Sequence, residues 1–218
     1  MLASMGIPFA DREEAGRELG ALLRALALTD LIVLGVPRGG VAVAAPVAAV
    51  LGAPLDVVVV RKIGAPQNPE LGIGAVGAWG EPWLDHRLIA TLSVPPRFLE
   101  EQIAIERDEA ARRVEAYRPN APPLDVGGRD VLVVDDGIAT GGTVAAAAQL
   151  LRIQAPRRLV LAVPVAPAES VERLRGAYDE VIAAYTPEPY TAVGQWYRDF
   201  HQVSDGEVRD LLKEASSR

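Results

Sequence analysis

Residues 131–143, which run VLVVDDGIATGGT, combine residue types that could bind a sugar phosphate. The four aliphatic residues predict a buried strand that ends at Asp135 and Asp136, and a helix is expected to open at Thr143. Backbone N–H groups at a helix N-terminus bind phosphate, and glycine lets the anion approach them closely. The two carboxylates can accept hydrogen bonds from sugar hydroxyls. The pattern therefore predicts a ribose 5-phosphate site, with the phosphate held by Thr140, Gly141, Gly142 and Thr143.

The same stretch resembles the phosphoribosyl pyrophosphate (PRPP) signature of type I phosphoribosyltransferases. That signature has four apolar residues, two acids, three variable positions and then Thr-Gly-x-Thr, and every position is met here. The resemblance implies that Asp135 and Asp136 act in catalysis by holding the ribose hydroxyls, and that residues from Ala139 to Thr143 bind PRPP. A Walker loop would need a lysine between Gly142 and Thr143, and the turn after the first predicted strand, Gly35 to Gly40, lacks the G-x-G-x-x-G dinucleotide spacing.

Two further segments resemble parts of the same family. Arg38-Gly39-Gly40 follows an apolar run and is similar to the family's pyrophosphate loop, which often contains a non-proline cis peptide. Arg61-Lys62 is similar to the basic dipeptide before the loop that closes over the substrate, and Lys62 is one of only two lysines in the chain. The alternatives are an ordinary strand-to-helix turn and a surface cation pair. The resemblance implies that the pyrophosphate is received by Arg38, Gly39, Arg61 and Lys62, with Arg38 and Lys62 as catalytic residues. It also implies that Gly40 binds PRPP.

An aromatic cluster after the last predicted strand is the candidate acceptor site. Trp196, Tyr197 and Phe200 could stack on a planar base, form the core of a small hood, or make a dimer contact. Some purine-specific relatives carry a third acid where this chain has Ala139, so any proton transfer must come from elsewhere. The candidates for that proton transfer are Glu70, Asp199 and His201.

Continuous aliphatic runs separated by helical periodicity predict an α/β fold. Such runs indicate strands that are buried on both faces of a parallel sheet. We expect one domain over residues 1–218, with a doubly wound, mostly parallel sheet and an irregular hood built from 186–218 and part of 62–96. The predicted strands are 31–36, 56–60, 130–134, 159–163 and 181–185, and the predicted helices are 12–27, 42–51, 97–117, 143–153, 168–176 and 206–215.

Composition narrows the class of function. The chain has 218 residues, no cysteine, two histidines and a net charge of −7. These values argue against a thiol nucleophile, a multi-histidine zinc centre and a broad nucleic-acid interface. The longest apolar run, 41–51, is too short to span a membrane, and no secretion signal is visible, so we expect a cytoplasmic protein that binds no membrane.

The resemblance implies an activity as well as a site. We expect the transfer of ribose 5-phosphate from PRPP to a nitrogen acceptor, with a nucleobase as the expected acceptor and pyrophosphate as the second product. Mg²⁺ is expected as the cofactor, bound through the pyrophosphate with Asp135 and Asp136 as the candidate protein ligands, and the protein is expected to be a homodimer. The alternatives are a PRPP-binding regulator without turnover and a sugar-phosphate hydrolase, which would lack an evident nucleophile.

Overall fold

The structure is a computed structural model that describes residues 8–120 and 122–217. Its strands are β1 (Leu31–Gly35), β2 (Leu55–Val57), β3 (Arg61–Ala65), β4 (Asn68–Val76), β5 (Trp83–Leu84), β6 (Asp130–Val134), β7 (Arg158–Val165) and β8 (Glu180–Tyr185). Its α-helices are α1 (Arg12–Leu23), α2 (Gly39–Leu51), α3 (His86–Thr91), α4 (Pro96–Tyr117), α5 (Gly142–Ile153), α6 (Ala168–Leu174) and α7 (Asp205–Ser216).

The central sheet has five parallel strands in the order β2-β1-β6-β7-β8. Every residue of β6 is buried, as a continuous aliphatic run predicts for a strand covered on both faces. Apolar clusters lie on the two sides of this sheet, one beneath α1, α2 and α7 and the other beneath α5 and α6. The predicted doubly wound α/β fold is thereby confirmed.

The interval 62–96 is more regular than its Gly- and Pro-rich sequence suggests. We expected part of it to belong to an irregular hood, and the structure has an antiparallel sheet, β3-β4-β5, followed by α3. Its glycines lie where strands approach closely, since a Cβ on Gly64 would lie 2.5 Å from the carbonyl oxygen of Pro69. The residues that indicated a loop are therefore needed for strand packing.

The segment after β8 packs beside the N-terminal end of the described chain. Phe9 forms a parallel β-bridge with Tyr197, and the Arg198 amide donates to the Phe9 carbonyl at 3.0 Å. Helix α7, which the predicted hood included, instead packs Val208 and Leu212 into the core beneath α2. The prediction of a single domain over 1–218 stays a prediction.

Helix α1 lies against α2 at a distance that only small residues permit. A Cβ on Gly16 would lie 2.3 Å from Cγ of Pro46 and 2.5 Å from the carbonyl oxygen of Val43. Asp11 caps the helix by accepting a hydrogen bond from the Glu14 amide at 2.8 Å, and the helix ends at Leu23, four residues before the predicted end. This contact fixes the position of Arg12, the first residue of α1.

Among the described residues, no helix has both the length and the apolar composition needed to cross a bilayer.

Gly16→Ala tests the close contact between α1 and α2. We expect the free energy of unfolding to fall by about 1–3 kcal/mol, because the new methyl group overlaps α2 backbone and proline atoms. Gly206→Ala in α7 is the matched control, because its nearest neighbour, Oγ of Ser204, would lie at an ordinary 3.6 Å. Urea unfolding of both variants measures the difference, and equal stability would contradict the packing described here.

Candidate functional site

The two sequence motifs meet where the direction of chain winding reverses. Strands β1 and β6 are neighbours with Gly35 opposite Val134, but the chain leaves β1 toward β2 and leaves β6 toward β7, on opposite sides. Ligand crevices of open α/β sheets form at the carboxyl ends of strands at such a reversal. The loop that contains Arg38 follows β1 and the acidic pair follows β6. The fold therefore brings both motifs to one crevice.

A cavity of about 450 Å³ opens at the end of β6 and the start of α5. Its walls also include apolar residues that sequence analysis did not single out, among them Val60 and Val193. The predicted site residues that line the cavity are Lys62, Asp135, Ala139, Thr140, Gly141, Gly142 and Thr143.

The loop from Ala139 to Thr143 has the form of an anion cradle. Gly141 adopts a left-handed conformation, with φ of 74°, immediately before α5 begins at Gly142. The first N–H groups of an α-helix have no partner within the helix, and they carry the positive end of its dipole. A Cβ on Gly142 would meet no atom within 4 Å, so this residue faces open space. The arrangement can bind a phosphate through backbone N–H groups.

Side chains from the next part of the chain hold this loop in place. Ser170 Oγ donates to the carbonyl of Ala139 at 2.6 Å, and Arg173 donates to the carbonyl of Thr140 at 2.8 Å. The Tyr178 hydroxyl donates to the carbonyl of Val144 at 2.6 Å. These three residues were missed by sequence analysis, because nothing in the spacing of α6 links it to the glycine loop.

The loop after β1 packs directly against the acidic pair. The peptide between Pro37 and Arg38 is cis. A Cβ on Gly39 would lie 1.9 Å from Oδ2 of Asp136, and one on Gly40 would lie 2.9 Å from Oδ1 of Asp135. The two glycines are therefore required by the close approach of the carboxylates. They lie beside the acidic pair and do not line the cavity itself.

The two aspartates have different surroundings. Asp135 lines the cavity, and its Oδ1 accepts a hydrogen bond from the Asp136 amide at 2.9 Å. Oδ2 of Asp136 instead accepts from Nε of Arg12 at 2.8 Å, and the two side chains are only 15% and 8% exposed. Burial, and then the charge of Asp136, raise the pKa of Asp135 well above its usual value. Burial also raises the pKa of Asp136, although Arg12 opposes this shift.

The two residues of the basic dipeptide, Arg61 and Lys62, have different surroundings. Lys62 lies on β3 and lines the cavity. Nε of Arg61 donates to Oε2 of Glu106 on α4 at 2.7 Å, which fixes β3 to that helix. The role of Arg61 in binding pyrophosphate stays a prediction.

The predicted acceptor aromatics are mostly packing residues in this structure. Trp196 and Tyr197 are buried with Phe9 in a small cluster, whereas Phe200 is 37% exposed and lies beneath the guanidinium of Arg12. The alternative of a hood core is the one that these contacts favour for Trp196 and Tyr197.

The candidate proton donors lie apart from the cavity or outside the described part of the structure. His201 contacts Glu207 through Nε2 at 3.0 Å and lies 3.4 Å from Oδ1 of Asp199. The contact with Glu207, a hydrogen bond, raises the pKa of His201. The side chain of Glu70 lies outside the described residues.

Arg12 is the residue in contact with the acidic pair that sequence analysis missed most completely. It lies at the first position of α1, 124 residues from the carboxylate that it contacts. The capping pattern that begins at Asp11 predicts a helix start there, but it carries no signal that pairs this arginine with Asp136. Only the packing of α1 on α2 brings the two side chains together.

A parallel sheet with an acidic pair and a glycine–threonine loop at its winding reversal has the form of an open α/β fold with a crevice at the carboxyl ends of its strands. A sequence profile of the phosphoribosyl transferase domain matches residues 13–189, and the chain therefore belongs to the phosphoribosyl transferase family.

Individual relatives agree with this assignment. A Mycobacterium tuberculosis protein provisionally named a phosphoribosyl transferase is 44% identical over 210 residues, 95% of this chain, and the chain spans about half (47%) of that relative's length. An adenine phosphoribosyltransferase of Mycobacterium marinum is 32% identical over 144 residues, which are 66% of this chain and 59% of that enzyme. A crystal structure of a Thermus thermophilus protein is 46% identical and superposes with a TM-score of 0.87, covering 94% of this chain and 98% of that one.

Replacing each aspartate by asparagine is expected to change stability in opposite directions. Asp135→Asn should raise the melting temperature at neutral pH, because the ionised form of a carboxyl with a raised pKa costs free energy in the folded state. Asp136→Asn should lower the free energy of unfolding by about 3 kcal/mol, because it leaves the buried Arg12 cation without its partner.

The pH dependence of unfolding provides a second measurement of the same difference. The pKa of Asp135 is higher in the folded state than its ordinary value of 3.8. The contribution of this carboxyl to the free energy of unfolding therefore falls as the pH rises above 3.8. Thermal unfolding from pH 4 to 8 should therefore show a smaller decline for Asp135→Asn than for the wild type. If Asp135→Asn and Asp136→Asn change the melting temperature equally at every pH, the different surroundings described for the two aspartates are contradicted.

Proposed function

We propose that this protein transfers ribose 5-phosphate from PRPP to a nitrogen acceptor and releases pyrophosphate. The observation that carries the proposal is that one cavity is lined by Lys62, by Asp135 and by the whole loop from Ala139 to Thr143. A cation, a hydrogen-bond acceptor and an anion cradle are the three groups that a phosphorylated ribose with a pyrophosphate leaving group requires. Membership of the family supports the same activity.

Each group has a proposed role in the reaction. The loop from Thr140 to Thr143 anchors the 5-phosphate, whose binding energy orients the distant reacting carbon. Asp135 and Asp136 accept hydrogen bonds from the ribose hydroxyls and offset positive charge that develops on the sugar. Lys62, and the loop that contains Arg38, Gly39 and Gly40, receive the pyrophosphate and stabilise its growing negative charge.

Mg²⁺ is the proposed cofactor, held mainly by the phosphates of PRPP. Within residues 8–120 and 122–217, no three His, Asp or Glu side chains are close enough together to hold a metal ion. This donor set fits Mg²⁺, which often binds through one carboxylate together with substrate phosphates, and Asp135 offers an oxygen at the cavity. When bound there, the ion would neutralise charge on the departing pyrophosphate.

A nucleobase is the proposed acceptor. The related Mycobacterium marinum protein is named an adenine phosphoribosyltransferase, and its match covers 66% of this chain. Phe200, at 37% the most exposed of the three predicted aromatic residues, is the one proposed to contact a planar base. The homodimer and the cytoplasmic location stay predictions.

Incubating labelled PRPP and Mg²⁺ with a panel of purines, pyrimidines and other nitrogen acceptors tests the activity. We expect pyrophosphate release that depends on the presence of one or more nucleobases, with reactions lacking acceptor as the control. Tight PRPP binding by calorimetry without release for any acceptor would favour the alternative of a non-catalytic regulator. If the protein neither binds PRPP nor releases pyrophosphate, both the transferase and the regulator are contradicted.

Gly142→Ala tests the anion cradle separately from the fold. The added methyl group would meet no protein atom within 4 Å, so the melting temperature should be unchanged or higher. The methyl group would occupy the space in which phosphate approaches the first N–H groups of α5. We expect PRPP to bind at least about tenfold more weakly, which corresponds to about 1.4 kcal/mol.

Gly176→Ala is the matched control, because a Cβ there also meets no atom within 4 Å and Gly176 does not line the cavity. Calorimetric titration with PRPP should show the loss for Gly142→Ala alone. Wild-type affinity in Gly142→Ala would mean that the phosphate does not bind at this helix.

A further inference from the structure

The loop that forms the anion cradle packs against the short helix α6. A Cβ on Gly141 would lie 2.9 Å from Cδ1 of Leu174, the last residue of α6, so the helix is in direct contact with the loop. The described residues that line the cavity include none from α6. The helix therefore contacts the loop without facing the space in which the phosphate is proposed to bind.

Two side chains of α6 bind consecutive carbonyl groups of this loop. Ser170, which is 3% exposed, donates from Oγ to the carbonyl of Ala139 at 2.6 Å. Nη2 of Arg173 donates to the carbonyl of Thr140 at 2.8 Å and to Oγ of Ser170 at 3.0 Å. A guanidinium Nη atom carries two hydrogens, so it can make both bonds. The serine and the arginine thus form one connected support for the loop.

The planarity of the peptide group passes this restraint on to the N–H groups. In a trans peptide the N–H points opposite to the carbonyl, and both peptide bonds of this segment are trans. A fixed carbonyl of Ala139 therefore sets the direction of the Thr140 N–H, and a fixed carbonyl of Thr140 sets that of the Gly141 N–H. Both N–H groups point away from the donors on α6.

These two N–H groups are available to a ligand. Within residues 8–120 and 122–217, neither the Thr140 N–H nor the Gly141 N–H has a hydrogen-bond acceptor, and both residues line the cavity. They precede the first N–H groups of α5, which also have no partner within the helix. Successive N–H groups that point into one concave space bind an anion.

We propose that Ser170 and Arg173 are positioning residues for the 5-phosphate: by binding the loop carbonyls, they direct the N–H groups of Thr140 and Gly141 toward the phosphate before it arrives. This inference rests on the proposed binding of PRPP at this loop. Donors that are fixed in advance lose less conformational freedom on binding, and the ligand is bound more tightly. Helix α6, which lies outside the sequence signature, thereby contributes to affinity without touching the ligand.

Two substitutions test the inference by calorimetric titration with PRPP and Mg²⁺. Ser170→Ala removes the hydrogen bond to Ala139 without a change of charge. Arg173→Met removes the bond to Thr140 and keeps a long side chain at a position where 53% of the arginine side chain is exposed. Each variant should raise the Kd by about tenfold, because N–H groups that are free to turn make weaker hydrogen bonds to a charged phosphate.

Ribose 5-phosphate identifies the part of the ligand that loses binding. It carries the same 5-phosphate as PRPP and lacks the pyrophosphate, so Ser170→Ala and Arg173→Met should weaken both ligands by factors that agree within about threefold. Lys62→Met, which changes the proposed pyrophosphate side, should weaken PRPP by much the larger factor. A general loosening of the site by the α6 substitutions would also weaken PRPP more, because PRPP makes contacts at both ends.

Arg175→Met is the matched control for the loss of charge at α6. The Arg175 side chain is 62% exposed and pairs with Glu172, and this variant should bind both ligands like the wild type. If the buried Ser170→Ala variant does not fold, the more exposed Arg173→Met decides the test.

Three results would overturn the inference. The first is a folded Ser170→Ala or Arg173→Met variant that binds PRPP like the wild type. The second is a loss of affinity that is much larger for PRPP than for ribose 5-phosphate, and the third is an equal loss in Arg175→Met. A wild-type chain that binds neither ligand would instead overturn the proposed function on which the inference rests.

Discussion

The register between β1 and β6 is the constraint on which the site depends. Because Gly35 lies opposite Val134, the loop after β1 and the acidic pair after β6 leave the sheet side by side. A shift by one residue would move the side chains of one strand to the opposite apolar layer, so packing on both sides of the sheet maintains this alignment. The glycines at positions 39 and 40 then allow the two loops to touch without a side chain between them. The contacts that pack the core therefore also determine the geometry of the site.

The site contains groups that are unfavourable for folding. Asp135 is an ionisable side chain whose surroundings disfavour its charged form, and nothing in the apolar core benefits from it. Asp136 pairs with an arginine that is itself buried, and such a pair costs free energy of desolvation. Such groups are expected where a ligand, and not the fold, is what the side chains serve. A stable scaffold of five parallel strands tolerates these costs at one edge.

Much of this arrangement could be predicted from the sequence, and the part that could not has a physical reason. The buried strands were predictable because β6 and its neighbours are continuous aliphatic runs, and the anion cradle was predictable because its residues are contiguous. The antiparallel sheet of β3, β4 and β5 was not, since its glycines serve close strand packing and resemble loop residues locally. The contact of Arg12 with Asp136 could not be predicted for a different reason. Its partner lies 124 residues away, and only the docking of α1 on α2 relates them.

The most direct test of the account is a crystal structure of the protein with a non-hydrolysable PRPP analogue and Mg²⁺. The account predicts that the 5-phosphate lies at the N-terminus of α5, beside Gly142, and that a ribose hydroxyl lies within hydrogen-bonding distance of Asp135. Asp136 should keep its contact with Arg12 in that complex. A phosphate bound elsewhere, or a ribose that contacts neither aspartate, would contradict the account.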